Sequence, residues 1–286
     1  MDWNLNIPKR IYFYWGGDKL SFIRFMSIYS FKKLNPDWDI FLYNPLILNN
    51  KEKWAHKQYE NRSNIIDYTN MVSSLLGIKP VIFDFEKVGL SNHMNEVHKS
   101  DFIRYYLLSE FGGVWADMDV LFIKPMTELY HNKVSSSAKT FYYYDGKGVW
   151  QHGIGFLMAD KGSQYFTDVF NEAKSHFDET DYQSIGADLL NSKFKPKVIS
   201  SKYPDTVSLD TDSVYCINHD HYPYLYSKNG KHMITEDAVG IHWYGGSMHV
   251  GNLTLSVNHK NLSTYDNEGT VMLYMKELFG DDFKDL

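Results

Sequence analysis

Short apolar runs alternate along the chain with segments of helical period. Arg10-Ile-Tyr-Phe-Tyr-Trp15 reads as a buried strand closed by Gly16-Gly17, and Phe22 to Leu34 spaces its apolar residues as a helix until Asn35-Pro36 stops it. Trp38 to Tyr43 predicts a second strand, ended by Asn44-Pro45. A polar stretch over about 45–64 predicts an insertion or lid, Ile65 to Leu76 a helix, and Val81 to Phe83 a third strand. Strands separated by helices in this way indicate βαβ units and a largely parallel sheet. Neither a repeat nor a linker interrupts the pattern, so one α/β domain over 1–286 is expected.

The densest pattern runs from His98 to Met126. Glu96 to Phe111 predicts a continuous helix, with Ile103, Tyr106, Leu107 and Glu110 on one stripe and Asp101, Arg104, Tyr105 and Leu108 on another. Gly112-Gly113 is a helix-stop signal, because glycine accepts left-handed backbone at little cost. Val114-Trp115-Ala116 then predicts a short strand with Asp117-Met118-Asp119 at its end, before a second apolar run, Val120 to Ile123. Ligands of open α/β sheets bind at the carboxyl ends of strands, where these two aspartates are placed.

Carboxylates at i and i+2 on extended backbone face the same side and repel unless a cation or water separates them. Oxygen ligands with one imidazole suit Mg²⁺ or Mn²⁺, which keep positions open for substrate phosphates. An arbitrary Asp-x-Asp is most often a solvated strand end; this one lies on the rim of a buried sheet. Asp101 and Arg104 form an i, i+3 pair whose simplest reading is a surface ion pair worth about 0.2–0.5 kcal/mol. Their helix feeds the Asp-x-Asp strand, so both can reach one pocket. There the carboxylate would accept from sugar hydroxyls and the guanidinium donate to sugar or phosphate oxygens.

Composition narrows the classes. The 286 residues are 43% hydrophobic and 22% charged, a globular balance that excludes a disordered chain. A net charge of −6 without a Lys/Arg block argues against holding nucleic acid through its phosphates. Aromatic content of 16% is high; most rings should be core, leaving a minority as platforms for a sugar or base. Cys216 is the sole cysteine, which rules out an internal disulfide or a Cys-rich zinc site. The N-terminus lacks signal-peptide character, and no apolar run approaches the roughly 18 residues of a membrane span. The expected location is a reducing cytoplasm, bacterial or of a virus-infected host, with peripheral membrane association left open.

Ser100-Asp-Phe-Ile-Arg-Tyr-Tyr-Leu-Leu-Ser-Glu-Phe-Gly-Gly-Val-Trp-Ala-Asp-Met-Asp119 resembles the signature of glycosyltransferase family 32, the Asp-x-Asp sugar transferases related to yeast mannosyltransferases, capsular polysaccharide enzymes and glucosylating clostridial toxins. Ile7-Pro-Lys-Arg-Ile-Tyr-Phe-Tyr-Trp-Gly16 is similar to the family's first strand. Gly240-Ile-His-Trp-Tyr-Gly-Gly-Ser247 resembles its C-terminal segment, and Ser184-Ile-Gly-Ala-Asp188 is a fainter echo of its Thr-Gly-Pro element. The resemblance implies a GT-A nucleotide-diphospho-sugar transferase fold, a Mn²⁺ or Mg²⁺ ion, a nucleotide-diphospho-sugar donor (UDP-sugar first) and retaining transfer to a hydroxyl acceptor. It implies that Asp119 ligates the metal, that Asp117 contacts ribose and the metal's water, and that Asp101 and Arg104 hold the donor sugar. Trp15 would stack on the nucleobase, with Tyr14 beside it in the donor-binding set. His242 would be the C-terminal metal or diphosphate contact and Ser247 a second diphosphate contact, within an acceptor and metal segment over about 200–286. The chain departs from the family at Tyr12 (usually His), at Ile185 and Ala187, and at Met248 (often Trp).

The acceptor expected is a glycan or other saccharide. Alternatives are the same chemistry on a hydroxymethylated base of viral DNA, or a non-catalytic nucleotide-sugar-binding protein. A structural calcium module would need more oxygen ligands than this stretch supplies. Gln151 or His152, before Gly153-Ile-Gly155, could position the acceptor, though a polar turn is the simpler reading. His219-Asp-His221 reads as an exposed loop, Tyr222-Pro-Tyr-Leu-Tyr226 as an edge strand or a set of stacking aromatics, Tyr142 to Tyr144 as a core strand, and Cys216 as packing.

Overall fold

The computed structural model describes residues 7–49, 65–129, 136–144, 147–246 and 250–283; residues 50–64 of the expected insertion, with Ser247 and Met248, lie outside them. In chain order the elements are β1 (Arg10–Tyr14), α1 (Phe22–Leu34), β2 (Asp39–Pro45), α2 (Thr69–Ser74), β3 (Val81–Phe83), α3 (Glu96–Phe111), β4 (Gly113–Ala116), β5 (Val120–Phe122), β6 (Ser136–Tyr144), β7 (Lys147–Ala159), α4 (Gln164–His176), α5 (Ala187–Lys193), α6 (Pro196–Lys202), α7 (Pro223–Tyr226), β8 (Gly240–His242), α8 (Val250–Ser256) and α9 (Thr270–Phe279).

The main sheet has the order β3-β2-β1-β4-β7-β6. Its first four strands pair in parallel, and β7 and β6 continue it antiparallel. This is the mixed, mostly parallel α/β architecture expected of a GT-A fold. Alternation along β1 sends Ile11 and Phe13 into one core, which α1 and α9 cover, and Tyr12 and Tyr14 into the other, under α3 and α4. Tyr12 donates its hydroxyl to the Gly112 carbonyl at 2.8 Å, tying β1 to the end of α3. A separate two-stranded sheet pairs β5 antiparallel with β8 and sets Val120 opposite His242.

α3 is buried around most of its circumference, including His98, Lys99, Asp101 and Arg104. Helix and strand are joined without a loop because Gly112 adopts φ 62°, ψ −170°, a region open only to glycine. A Cβ there would lie 2.4 Å from the Lys161 amide nitrogen, which is backbone and cannot step aside. Gly112→Ala should therefore cost roughly 2–4 kcal/mol of stability. Urea denaturation checks this, and an unchanged midpoint would contradict the close approach.

Three local expectations are corrected. The helix expected over 65–76 shrinks to α2, because the Asp67 carboxylate accepts from the Leu20 and Thr69 amides (both 3.0 Å) and holds the preceding residues outside the helix. Tyr222 to Tyr226 is helical rather than a strand, with Pro223 at the first turn where its missing N–H costs nothing. Gln151 and His152 belong to β7 instead of a turn. His219 to His221 is an exposed short turn as expected. Tyr142 to Tyr144 lie in a strand as expected, β6, the last in the order of the main sheet.

Candidate active site

Four residues legible in the sequence converge at the carboxyl end of β4. Arg104 is 3% exposed and its Nη2 lies 2.9 Å from Asp101 Oδ1 and 3.4 Å from Asp117 Oδ1. Its remaining N–H groups reach the Ile154 carbonyl at 2.7 Å, the Ser100 carbonyl at 3.2 Å and the Ser100 hydroxyl at 3.0 Å, and its guanidinium lies over the Trp115 ring at 5.1 Å. The surface ion pair of the simplest sequence reading is thus a buried one. Burial pushes the Asp101 carboxyl up to about 7 against the pull of Arg104. Arg104 itself is buried too, but Asp117 and Asp101 outweigh that burial and keep it charged.

Asp117 leaves β4 with its amide on the Gly155 carbonyl at 2.7 Å and its Oδ1 accepting from the Trp115 indole at 2.8 Å. Asp119 Oδ2 accepts from the Gly245 amide at 2.7 Å, and Oδ1 lies 3.2 Å from His242 Nε2. The two aspartates part company electrostatically. Burial raises Asp117, with Arg104 opposing and Asp119 reinforcing; Asp119 is buried as well, yet His242, Arg24 and the Gly245 amide hold its carboxyl well below the usual range. Burial alone would lower His242, but the Asp119 carboxylate reverses the shift and favours the imidazolium.

Asp117, Asp119 and His242 each offer one ligand atom, all within 4.8 Å of one another. Two hard carboxylates and one imidazole form a donor set that fits Mn²⁺ or Mg²⁺. Asp119 Oδ1, buried with the His242 imidazole against it at 3.2 Å, is the atom such an ion would satisfy. Binding would need the imidazole neutral, so the His242 proton would be released. The backbone beyond His242 is bent for this purpose. Tyr244 has φ 47°, uncommon for a side chain of its size, and the turn aims the Gly245 amide at Asp119.

These groups floor an open cavity of about 830 Å³, within the usual range for small-molecule sites. Asp101, Arg104, Asp117, Asp119 and His242 all line it. Away from the Asp117–Asp119–His242 group the wall includes Gln151, Tyr182, Gln183, His219 and Tyr244. Trp15 lies outside this lining, half-buried at the carboxyl end of β1, with the Arg24 guanidinium 4.8 Å from its ring and 5.5 Å from that of Trp243. Tyr14 is also outside it, with its hydroxyl donated to Glu96 at 2.5 Å. Ser247 falls outside the described residues. Sequence reading passed over Tyr215, which lines the cavity, and the spacing of Gly153 and Gly155, whose period of two on one strand face signals close approach.

Residues 25–138, which contain most of α1, all of α3 and the Asp-x-Asp turn, match the family model described as a glycosyltransferase sugar-binding region containing a DXD motif. No curated protein sequence matches the chain. Solved structures similar to this chain include the PaToxG glycosyltransferase (15% identity, 69% of this chain, 70% of that one, TM-score 0.45). The apo form of the glycosyltransferase GlyE from Streptococcus pneumoniae TIGR4 is similar at 13% identity over 96% of this chain, TM-score 0.47; the match spans 64% of GlyE. The galactosyltransferase LgtC, solved with donor and acceptor sugar analogs, is similar at 14% identity over 82% of this chain and 87% of that one, TM-score 0.46.

Proposed function

We propose that the protein transfers a sugar from a nucleotide-diphospho-sugar, a UDP-sugar first, to a saccharide hydroxyl, with a divalent metal and with retention at the anomeric carbon. The observation that carries this reading is the Asp117–Asp119–His242 donor set at the floor of a cavity whose other walls carry Asp101 and Arg104. Asp119, Asp117 and His242 would hold Mn²⁺ or Mg²⁺. Such an ion, when bound, supplies positive charge against a diphosphate leaving group. Asp101 accepts from hydroxyls of the donor sugar, and Arg104 fixes that carboxylate and donates to sugar or phosphate oxygen. Trp15 is our assignment for the nucleobase platform, with Ser247 as a further diphosphate contact.

Each of the three carboxylates lining the cavity is engaged by a cation or an N–H group. That supports a same-face reaction, in which the departing diphosphate takes the acceptor's proton rather than a side chain. Amide and aromatic groups on the far wall, Gln151, Gln183, Tyr182 and Tyr244, suit the hydroxyls and apolar faces of a saccharide acceptor within the 200–286 segment and its neighbours. Among the described residues no helix is long and apolar enough to cross a membrane.

The test is nucleotide release from a panel of nucleotide sugars by the purified protein, with Mn²⁺, with Mg²⁺ and with chelator. Turnover of one donor that requires the ion is expected. Failure to bind any nucleotide sugar in the presence of either metal would sink the reading.

A further inference from the structure

Tyr215 is 6% exposed and lines the cavity, yet its hydroxyl has no hydrogen-bond partner among the described residues. Among the described residues the phenolic proton therefore lacks an acceptor. A buried hydroxyl left in this way costs about 1–3 kcal/mol unless something supplies the missing partner. Its surroundings are specific. The ring packs on the His242 imidazole, with centroids 4.9 Å apart.

The position a Cβ would take on Gly155 lies 3.1 Å from the Tyr215 hydroxyl, 3.0 Å from His242 Nε2 and 3.1 Å from Asp117 Oδ2. A Cβ on Gly153 would strike the same ring at 2.9 Å. The two glycines of β7 therefore let one O–H donor and two groups of the metal-binding set crowd together at one point of the cavity wall. An oxygen bound beside those groups, within reach of a donor that has nothing else to bind, is chemically an anionic phosphate oxygen.

We infer that Tyr215 donates its hydroxyl proton to a diphosphate oxygen of the nucleotide donor, next to the metal position. The inference rests on the nucleotide-sugar reading of the cavity. Tyr215 is then a substrate-contacting residue supplied from the C-terminal half of the chain, and it favours the diphosphate as a leaving group because the hydrogen bond strengthens as negative charge collects there.

Tyr215→Phe is an apt variant because it removes an oxygen that has no hydrogen-bond partner among the described residues and keeps the ring against His242. Calorimetric titration with UDP in the presence of Mn²⁺ should show affinity falling roughly 10- to 100-fold in the variant, the range for a hydrogen bond to a charged group. UMP, which lacks the second phosphate, should lose much less. Equal UDP affinity for wild type and Tyr215→Phe overturns the assignment while leaving the nucleotide-sugar reading intact. Equal losses for UDP and UMP overturn the diphosphate contact. A matching loss of Mn²⁺ affinity without nucleotide would show that the phenol supports the metal ligands instead, which also overturns it. Should the wild type bind no nucleoside diphosphate, the reading of the cavity fails and the assignment fails with it.

Discussion

Asp119→Asn is expected to reduce metal-dependent nucleotide release by at least about 10²-fold, the scale on which loss of one electrostatic stabiliser of a developing charge is felt. The reason is the double use of this carboxylate. Oδ2 accepts from the Gly245 amide at 2.7 Å, a bond an asparagine oxygen can keep, so the Tyr244–Gly245 turn should survive. Oδ1 faces His242 Nε2 at 3.2 Å and is one of the three ligand atoms within 4.8 Å of one another. An amide nitrogen there offers a hard cation nothing and removes the charge that favours the imidazolium. The variant should fold, melt near the wild type and bind Mn²⁺ at least about tenfold more weakly. Side-by-side assay of donor hydrolysis and Mn²⁺ titration checks both halves, and full activity with unchanged Mn²⁺ affinity would remove Asp119 from the metal site.

Arg104→Leu should produce the largest loss of stability, roughly 3–5 kcal/mol, because it strands two carboxylates and the Ile154 carbonyl inside the protein. For a chain of this size the melting midpoint should fall on the order of 10 °C. Arg104→Lys should recover only part of this, since one ammonium cannot serve Asp101, Asp117, Ile154 and Ser100 together. The deficit should also depend on pH. Asp101 has a folded value of about 7 against an ordinary 3.8, so its contribution favours the fold fully below pH 4 and is lost as the pH rises through 7. Without the guanidinium that rise is larger, and Arg104→Leu should sit closer to wild type at pH 5 than at pH 8. Thermal melts at the two pH values measure this; a deficit below 1 kcal/mol at both would mean that water reaches the pair.

How far the site could be read from the sequence follows from distance along the chain. Asp101, Arg104, Asp117 and Asp119 lie within one helix, one glycine stop and one short strand, and such local geometry is nearly fixed by backbone period and by Gly112. Reading Asp101 and Arg104 as a surface pair was too modest, because helical period cannot tell which polar stripe will be covered by β7 and the 182–186 segment. Exposure of His219 to His221 was legible from its polar, proline-flanked context. The place of His219 in the cavity wall was not, since it depends on where α7 and β8 dock.

By itself the sequence determined the strand–helix alternation, the buried β1, the α3–Gly-Gly–β4 corner and an aspartate pair at a strand end, because each follows from side-chain period and from what glycine alone can do. Tertiary structure decided which distant groups meet that pair. The antiparallel register of β5 with β8 sets Val120 against His242, and so carries an imidazole to Asp119 across the whole intervening chain. The bare faces of Gly153 and Gly155 let Tyr215 close in beside it. A one-residue slip of β8 would turn His242 away, and nothing in the local sequence specifies against that slip; only the packing of both cores does.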